Sequence, residues 1–382
     1  MKKILIIILS LILTGCWNYR ELNEYAIATG LAIDIKDNEY EVSLLFANGK
    51  KNKNEENQIN VLSGTGNTIY EAINNIGLST PKEIYISHLS VVIISDEVAK
   101  KGVKPILDYL LREPQSNENF YIILSKESNA KNVLSIIAPQ SDFPSQNITS
   151  SIKINEKLQG RITDSSFNIF VSKILEKGNN PIANSIIIIG DDEKGTKKME
   201  QENTKVSAYT KLDKIGIFKD DKLIEWANID ESIGINMLLG NINSLYITLP
   251  CDNNKTIVKI NNYKINNKVY KDKININIKS SGIVNEVGCK INLNNEKELN
   301  KIENEVKKEM KNKINDAIKI SKKLETDIFG YGNMIYKKYP NYYNKIKNWN
   351  LEFKNLNINT NIDFRIDNKG SAEQSIGELA NE

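Results

Sequence analysis

The chain has 382 residues, room for two or three folded units, each with its own core. Its formal net charge is +3, and setting aside Lys2 and Lys3, which lie in a leader-like segment, leaves 49 basic against 48 acidic residues. So balanced a body, with lysines interleaved among Glu and Asp, argues against nucleic acid as a partner, which demands a concentrated basic surface.

Met1-Lys2-Lys3 forms a positive start and Ile4 to Leu13 an apolar run broken only by Ser10. A helix needs about 20 apolar residues to cross a bilayer, so this run fits a signal peptide instead. Gly15-Cys16 follows at once, the small-residue-then-cysteine arrangement cut by a lipoprotein signal peptidase. The expectation is cleavage between Gly15 and Cys16, with a diacylglyceryl and acyl lipid on Cys16 as the only attached group. Two or more buried chains, at ~0.8 kcal/mol per methylene, hold a protein where one would exchange. An ordinary secretory leader with a chance cysteine is the alternative. Cys251 and Cys289 then remain as a disulfide or as two buried thiols, and the lack of a second pair tilts the expectation to thiols.

Tyr40, Val42, Leu44 and Phe46 alternate with Glu41, Ser43 and Leu45, the period of a half-buried strand. Asn67-Thr68 offers an N-cap for a helix carrying Ile69, Ala72, Ile73 and Ile76, ended by Gly77 and Pro81. Leu89 to Ile94 reads as a buried strand, Val103 to Leu111 as a helix and Phe120 to Leu124 as a strand, an α/β succession. Helical patches over 130–137 and 167–175 lead to an apolar run over 182–189.

The polar stretch 191–205 reads as a linker. Beyond it come strands over 206–218 and 223–226, a helix over 233–239, a strand over 245–249 and a turn over 250–255. Strand patterns at 274–278 and 283–293 precede a stripe from Leu299 through Ile302, Val306, Met310, Ile314, Ala317, Ser321 and Leu324 to Ile328, one apolar residue per 3.6. This long amphipathic helix is expected to pack on its own antiparallel sheet. A last strand carries Ile358, Thr360, Ile362, Phe364 and Ile366 on one face, and 369–382 is a polar tail. The expected organisation is a leader (1–15), an N-terminal α/β domain (16–190), a linker (191–205), a small middle domain (206–250), a C-terminal α/β domain (251–368) and a disordered tail (369–382).

No catalytic constellation is legible. His88 is the sole histidine and lacks a Gly-x-Ser-x-Gly partner, so it is assigned to structure. Gly64-Thr65-Gly66 lacks the rest of a phosphate loop, the cysteines lack zinc spacing, and the acidic runs read as solvated helix faces.

Several blocks together resemble the Ger(x)C lipoproteins, the C-subunit family of spore nutrient germinant receptors. They are Gly15-Cys16-Trp17-Asn18-Tyr19-Arg20-Glu21-Leu22, His88-Leu89-Ser90-Val91-Val92, Ile106 through Arg112-Glu113-Pro114, Gly216 through Leu223, and Asp327-Ile328-Phe329-Gly330-Tyr331-Gly332. Glu113 departs from the usual Asp, and Asn117-Glu118-Asn119 from a common Arg. The resemblance implies three α/β domains without catalysis or metal, on the outer face of the spore inner membrane, beside an A-type and a B-type, permease-like subunit. His88, Arg112, Pro114, Asp327, Gly330 and Gly332 are then expected to be structural, and Trp17, Arg20 and Glu21 to set the first domain at the headgroups. A solute-binding lipoprotein of a transporter is the alternative, and a cell-wall hydrolase is a more distant one.

Overall fold

A computed structural model of the chain describes residues 21–48, 58–114, 117–138, 143–197, 205–251, 254–289 and 291–368. Residues 1–15, Cys16, Trp17, Arg20 and the 369–382 segment lie outside them.

The first sheet is built from β1 (Tyr25–Lys36), β2 (Glu39–Asn48), β3 (Gln58–Gly66), β4 (Glu83–Tyr85), β5 (Val91–Ser95), β6 (Tyr121–Ser125), β7 (Ile182–Gly190), β8 (Ala208–Lys219) and β9 (Lys222–Ala227). Its order is β3-β2-β1-β5-β6-β7-β8-β9, with β4 alongside the first residues of β1. β1, β5, β6 and β7 run parallel, and helices supply the crossovers that parallel neighbours require. These helices are α1 (Ile69–Gly77), α2 (Asp96–Lys101), α3 (Lys104–Arg112), α4 (Ala130–Ser135), α5 (Pro144–Leu158) and α6 (Phe167–Leu175), followed by the short α7 (Asp192–Gly195). Helix α1 starts where its cap dictates: the Thr68 hydroxyl accepts from Glu71 N at 3.1 Å, and Glu71 Oε2 accepts from Asn67 N at 2.9 Å.

β2 departs from the half-buried expectation. Val42, Leu44 and Phe46 sit in the core under α1 to α3, and Leu45 in the core under α4 and α5, so both faces are covered. The one hydroxyl between them, Ser43, is satisfied by Ser63 across the ladder at 2.8 Å.

The second sheet, β10 (Leu245–Cys251), β11 (Asn254–Val269), β12 (Lys273–Val287) and β13 (Asn357–Asn368), is preceded by α8 (Ile229–Leu239). Between β12 and β13 lie α9 (Glu296–Lys323), α10 (Tyr331–Lys338), α11 (Pro340–Tyr343) and α12 (Trp349–Asn355). Ile302, Val306, Met310, Ile314, Ala317 and Ser321 of α9 are buried, as their spacing predicts. The sheet is mixed, not antiparallel as expected: β13 returns through a helical crossover and therefore lies parallel to β12.

The expected middle unit does not stand alone. β8 and β9 complete the first sheet, while α8 and β10 enter the second core. The polar stretch that reads as a linker lies between two paired antiparallel strands, β7 and β8. The second core also takes in Ile182, Ile215 and Ile217 of the first sheet, so the two sheets share one apolar interior.

Candidate functional site

Among the described residues no single cleft gathers those singled out in the sequence; they fall at three places. The first is the end of the sheet where β1 begins. Glu24 N donates to Glu21 O at 3.0 Å, closing a turn over Leu22–Glu24, and Glu21 itself is exposed, its carboxylate accepting from Asn23 Nδ2 at 2.9 Å. The Tyr25 ring lies 5.1 Å from Tyr85, whose ring lies 5.9 Å from His88. His88 is exposed and helps line a cavity of about 380 Å³ with Ile27, Thr29, Ser90, Phe143 and Ser145. Ser145 Oγ donates to Thr29 Oγ1 at 3.0 Å and Ser90 Oγ to Thr29 O at 3.0 Å, so both serine hydroxyl protons are engaged by Thr29.

The second place is the C-terminal end of α3. Arg112 Nε donates to both Asp108 oxygens at 3.0 Å, and that hydrogen bond raises the already high guanidinium pKa. The Tyr109 hydroxyl donates to Glu113 Oε2 at 3.4 Å, and burial, then the Glu113 charge, pushes its pKa upward. With Tyr40, Tyr70 and Pro114 these residues line a groove of about 680 Å³.

The third place is the seam between the sheets, and it is the most tightly built. Asp327 is fully buried. Its Oδ1 accepts from Phe329 N at 3.1 Å and Gly330 N at 2.9 Å, and its Oδ2 from Gly332 N at 2.7 Å and Trp349 Nε1 at 3.0 Å. Four donors stabilise the charged form, yet burial outweighs them and leaves the carboxyl at about 6. Asn180 N donates to the Asp327 carbonyl at 2.8 Å, and Thr326 Oγ1 to Phe218 O at 2.8 Å, tying the loop to the segment just before β7 and to β8. Gly330 adopts φ +73, and a Cβ on Gly332 would come within 2.5 Å of the Trp349 ring, so both glycines are required by the fold of this loop. Lys173, on α6, is brought down to about 8 by burial while the Asp327 charge opposes the shift.

Sequence patterns had placed Asp327, Gly330 and Gly332 in one block but could not show what the block grips, because Asn180 and Phe218 lie more than a hundred positions away. Lys173 carried no sequence signal. The same holds for Asp34, a buried carboxylate that accepts from Ala130 N at 2.8 Å and Lys131 N at 2.9 Å. Glu156 is raised to about 7 by burial and then by Asp164. Among the described residues no group of three His, Cys, Asp or Glu side chains could hold a metal ion.

Cys251 and Cys289 are disulfide-bonded, with Cα atoms 5.9 Å apart, against the expectation of free thiols. The reason is the register: Cys251 ends β10 and Cys289 follows β12, and β11 lies between them, pairing with both, so the termini of three adjacent strands meet.

Comparison with known proteins accounts for most of the chain. A family model described as "Spore germination protein N-terminal domain" matches residues 18–188, and one described as "Spore germination B3/ GerAC like, C-terminal" matches residues 213–370. Spore germination protein KC of Bacillus subtilis is 26% identical over 368 residues, 92% of this chain and 90% of that protein. Spore germination protein B3 of the same organism is 24% identical over 378 residues, 94% and 96% of the two chains. The crystal structure of the GerBC protein superposes with a TM-score of 0.55 at 18% identity, covering 92% of this chain and all of that one, a likeness of fold.

Proposed function

Because the chain belongs to the Ger(x)C family of spore germination proteins, the germinant receptor C subunits, we propose that it works as a non-enzymatic, lipid-anchored subunit of a receptor complex that starts germination in response to a nutrient. The observation that carries this is the ordered match of both family models, one over each half of the mature chain. The anchor is the lipid on Cys16, and the body stands on the outer face of the spore inner membrane beside an A-type and a permease-like B-type subunit. Two features support that placement. No helix among the described residues is long and apolar enough to cross a membrane, which is compatible with attachment through the lipid. The Cys251–Cys289 disulfide suits an oxidising, extracytoplasmic side.

A transporter's solute-binding lipoprotein would carry its ligand in a cleft between lobes, and no observation favours one here: the seam is filled by Tyr331, Phe329, Trp349 and Phe353.

Replacing Cys16 with Ala tests the reading. The expected outcome is loss of the chain from the spore membrane fraction, together with a strongly impaired response to nutrient germinants and an intact response to germinants that bypass receptors. Retention in the membrane with a normal nutrient response would overturn it.

A further inference from the structure

Among the exposed large apolar residues Leu78 stands out, with 87% of its surface accessible. Single exposed leucines are ordinary on protein surfaces, so exposure alone carries nothing. Location does. Helix α1 ends at Gly77, and Leu78 caps it in a turn held by Ser79 N donating to Ile76 O at 2.9 Å and Thr80 N to Gly77 O at 3.4 Å. The turn runs through Pro81 and Lys82 directly into β4. β4 pairs parallel to β1 with Glu83 opposite Tyr25, so the turn sits at the end of the sheet where β1 begins.

That end is also where the lipid must be. Glu21 lies five positions after Cys16, and an extended chain spans at most ~3.5 Å per residue, so Glu21 lies within roughly 18 Å of the lipidated position. A tether that short brings the nearest exposed apolar side chains to the headgroups. Helix α3 descends to the same end before β6, carrying Leu111, 49% exposed, and Arg112.

We propose that the Leu78–Lys82 turn is a second membrane contact, in which Leu78 enters the headgroup region beside the tether while Lys82 stays at its polar surface. The occupant is the lipid bilayer itself, and the inference rests on the Cys16 anchor proposed above. Lysine beside an apolar residue suits that boundary, since its stem lies along hydrocarbon and its ammonium reaches water. The charges at this end are mixed, Glu21, Glu24 and Glu83 against Lys82 and Arg112, so apolar insertion drives the contact and added salt leaves it nearly unchanged. Docked this way, β1 stands at the membrane by two points, and the body loses its freedom to swivel about a single flexible stalk.

The test uses the full lipidated chain on vesicles of equal parts phosphatidylethanolamine and phosphatidylglycerol. An environment-sensitive fluorophore is placed on Ser79→Cys, and on Lys36→Cys at the exposed far end of β1 as a reference. At position 79 the emission shifts to the blue and aqueous iodide no longer quenches it, whereas position 36 stays fully quenched. Adding Leu78→Glu lowers the ratio of docked to free chain by roughly tenfold or more, and Leu78→Ile preserves it. If the chain fails to sediment with vesicles, the anchor and this contact both fall. If it sediments while position 79 is quenched like position 36, the contact alone falls. Protection at position 79 that appears only once an integral partner protein is present assigns the turn to that protein and overturns the lipid contact.

Discussion

Asp327 shows how one side chain can organise a seam. A buried carboxylate with four donors is saturated, so truncation would strand Trp349 Nε1 and three backbone N–H groups away from water, each at about 1–3 kcal/mol. Asp327→Ala is therefore expected to lower unfolding free energy by several kcal/mol in urea titration. The pH dependence has a definite sign. A carboxyl whose pKa rises from 3.8 to about 6 on folding binds its proton more tightly in the folded chain. It contributes stability that is complete below about pH 4 and is lost as the pH rises through 6, on the order of 3 kcal/mol in all. Glu156 is common to both chains compared, so it does not confound the difference, whereas the buried Lys173 feels the Asp327 charge and is removed as a variable by making the same comparison in a Lys173→Met background. Relative to Asp327→Asn, whose amide does not titrate, the native chain should lose its advantage between pH 4 and 7. A stability difference that stays flat over that range would show that hydrogen bonding, not burial, sets this group's ionisation.

At the scale of elements, legibility followed pattern strength. α1, α6 and α9 could be read because their apolar residues recur at helical spacing, with a cap at Thr68 for α1, and β13 because its alternation is uninterrupted; the Asn295 cap of α9 emerged only from the structure. α5 was missed: Pro144-Ser145-Gln146-Asn147 and Ser150-Ser151 dilute the stripe to Ile148 and Ile152, and its helical state comes from packing on α4 and β5. β11 was missed for a related reason. Its Asn- and Lys-rich sequence, Asn261 through Lys268, looks like loop, but it is the central strand between β10 and β12, and ladder pairing overrides its weak propensity.

That placement gives the disulfide its leverage. Closing a loop across a 38-residue separation is worth ~2–4 kcal/mol through the unfolded chain, and it fixes the end of β10, which pairs on one side only. The Cys251→Ser, Cys289→Ser double variant should lose about that much in denaturant, with reductant producing the same loss in the native chain and none in the variant. The crossing of α8 on α9 depends on Gly234, where a Cβ would overlap the Lys313 carbonyl and stand 2.9 Å from Ala317 Cβ. Alanine gains up to ~1 kcal/mol in helix propensity, but overpacking against backbone costs about 1–3 kcal/mol, so Gly234→Ala should destabilise. An equal or higher denaturation midpoint would mean the helices slide apart freely.

For the whole molecule, the shared core decides how the two sheets behave when the protein is stressed. Units joined by a polar linker would unfold separately, each with its own stability. Here Ile182, Ile215 and Ile217 belong to the same buried cluster as Ile233, Met310 and Trp349, and the Asp327 loop bonds to the backbone at Asn180 and Phe218. Native-state hydrogen exchange should then find the slowest amides of β5 and β6 and those of β11 and β12 opening with the same free energy and the same dependence on denaturant. Asp327→Ala, by weakening the seam and leaving each sheet's own ladder intact, should separate the two groups, with the second sheet opening first because it has lost its Trp349 and Gly332 contacts. If β11 and β12 already open at much lower free energy in the native chain, the sheets are independent lobes. If the chain is tethered at the β1 end as proposed, a rigid pair has a consequence: a push on either sheet reaches the other as a tilt of the whole body, so a partner bound to the second sheet would move the β1 end.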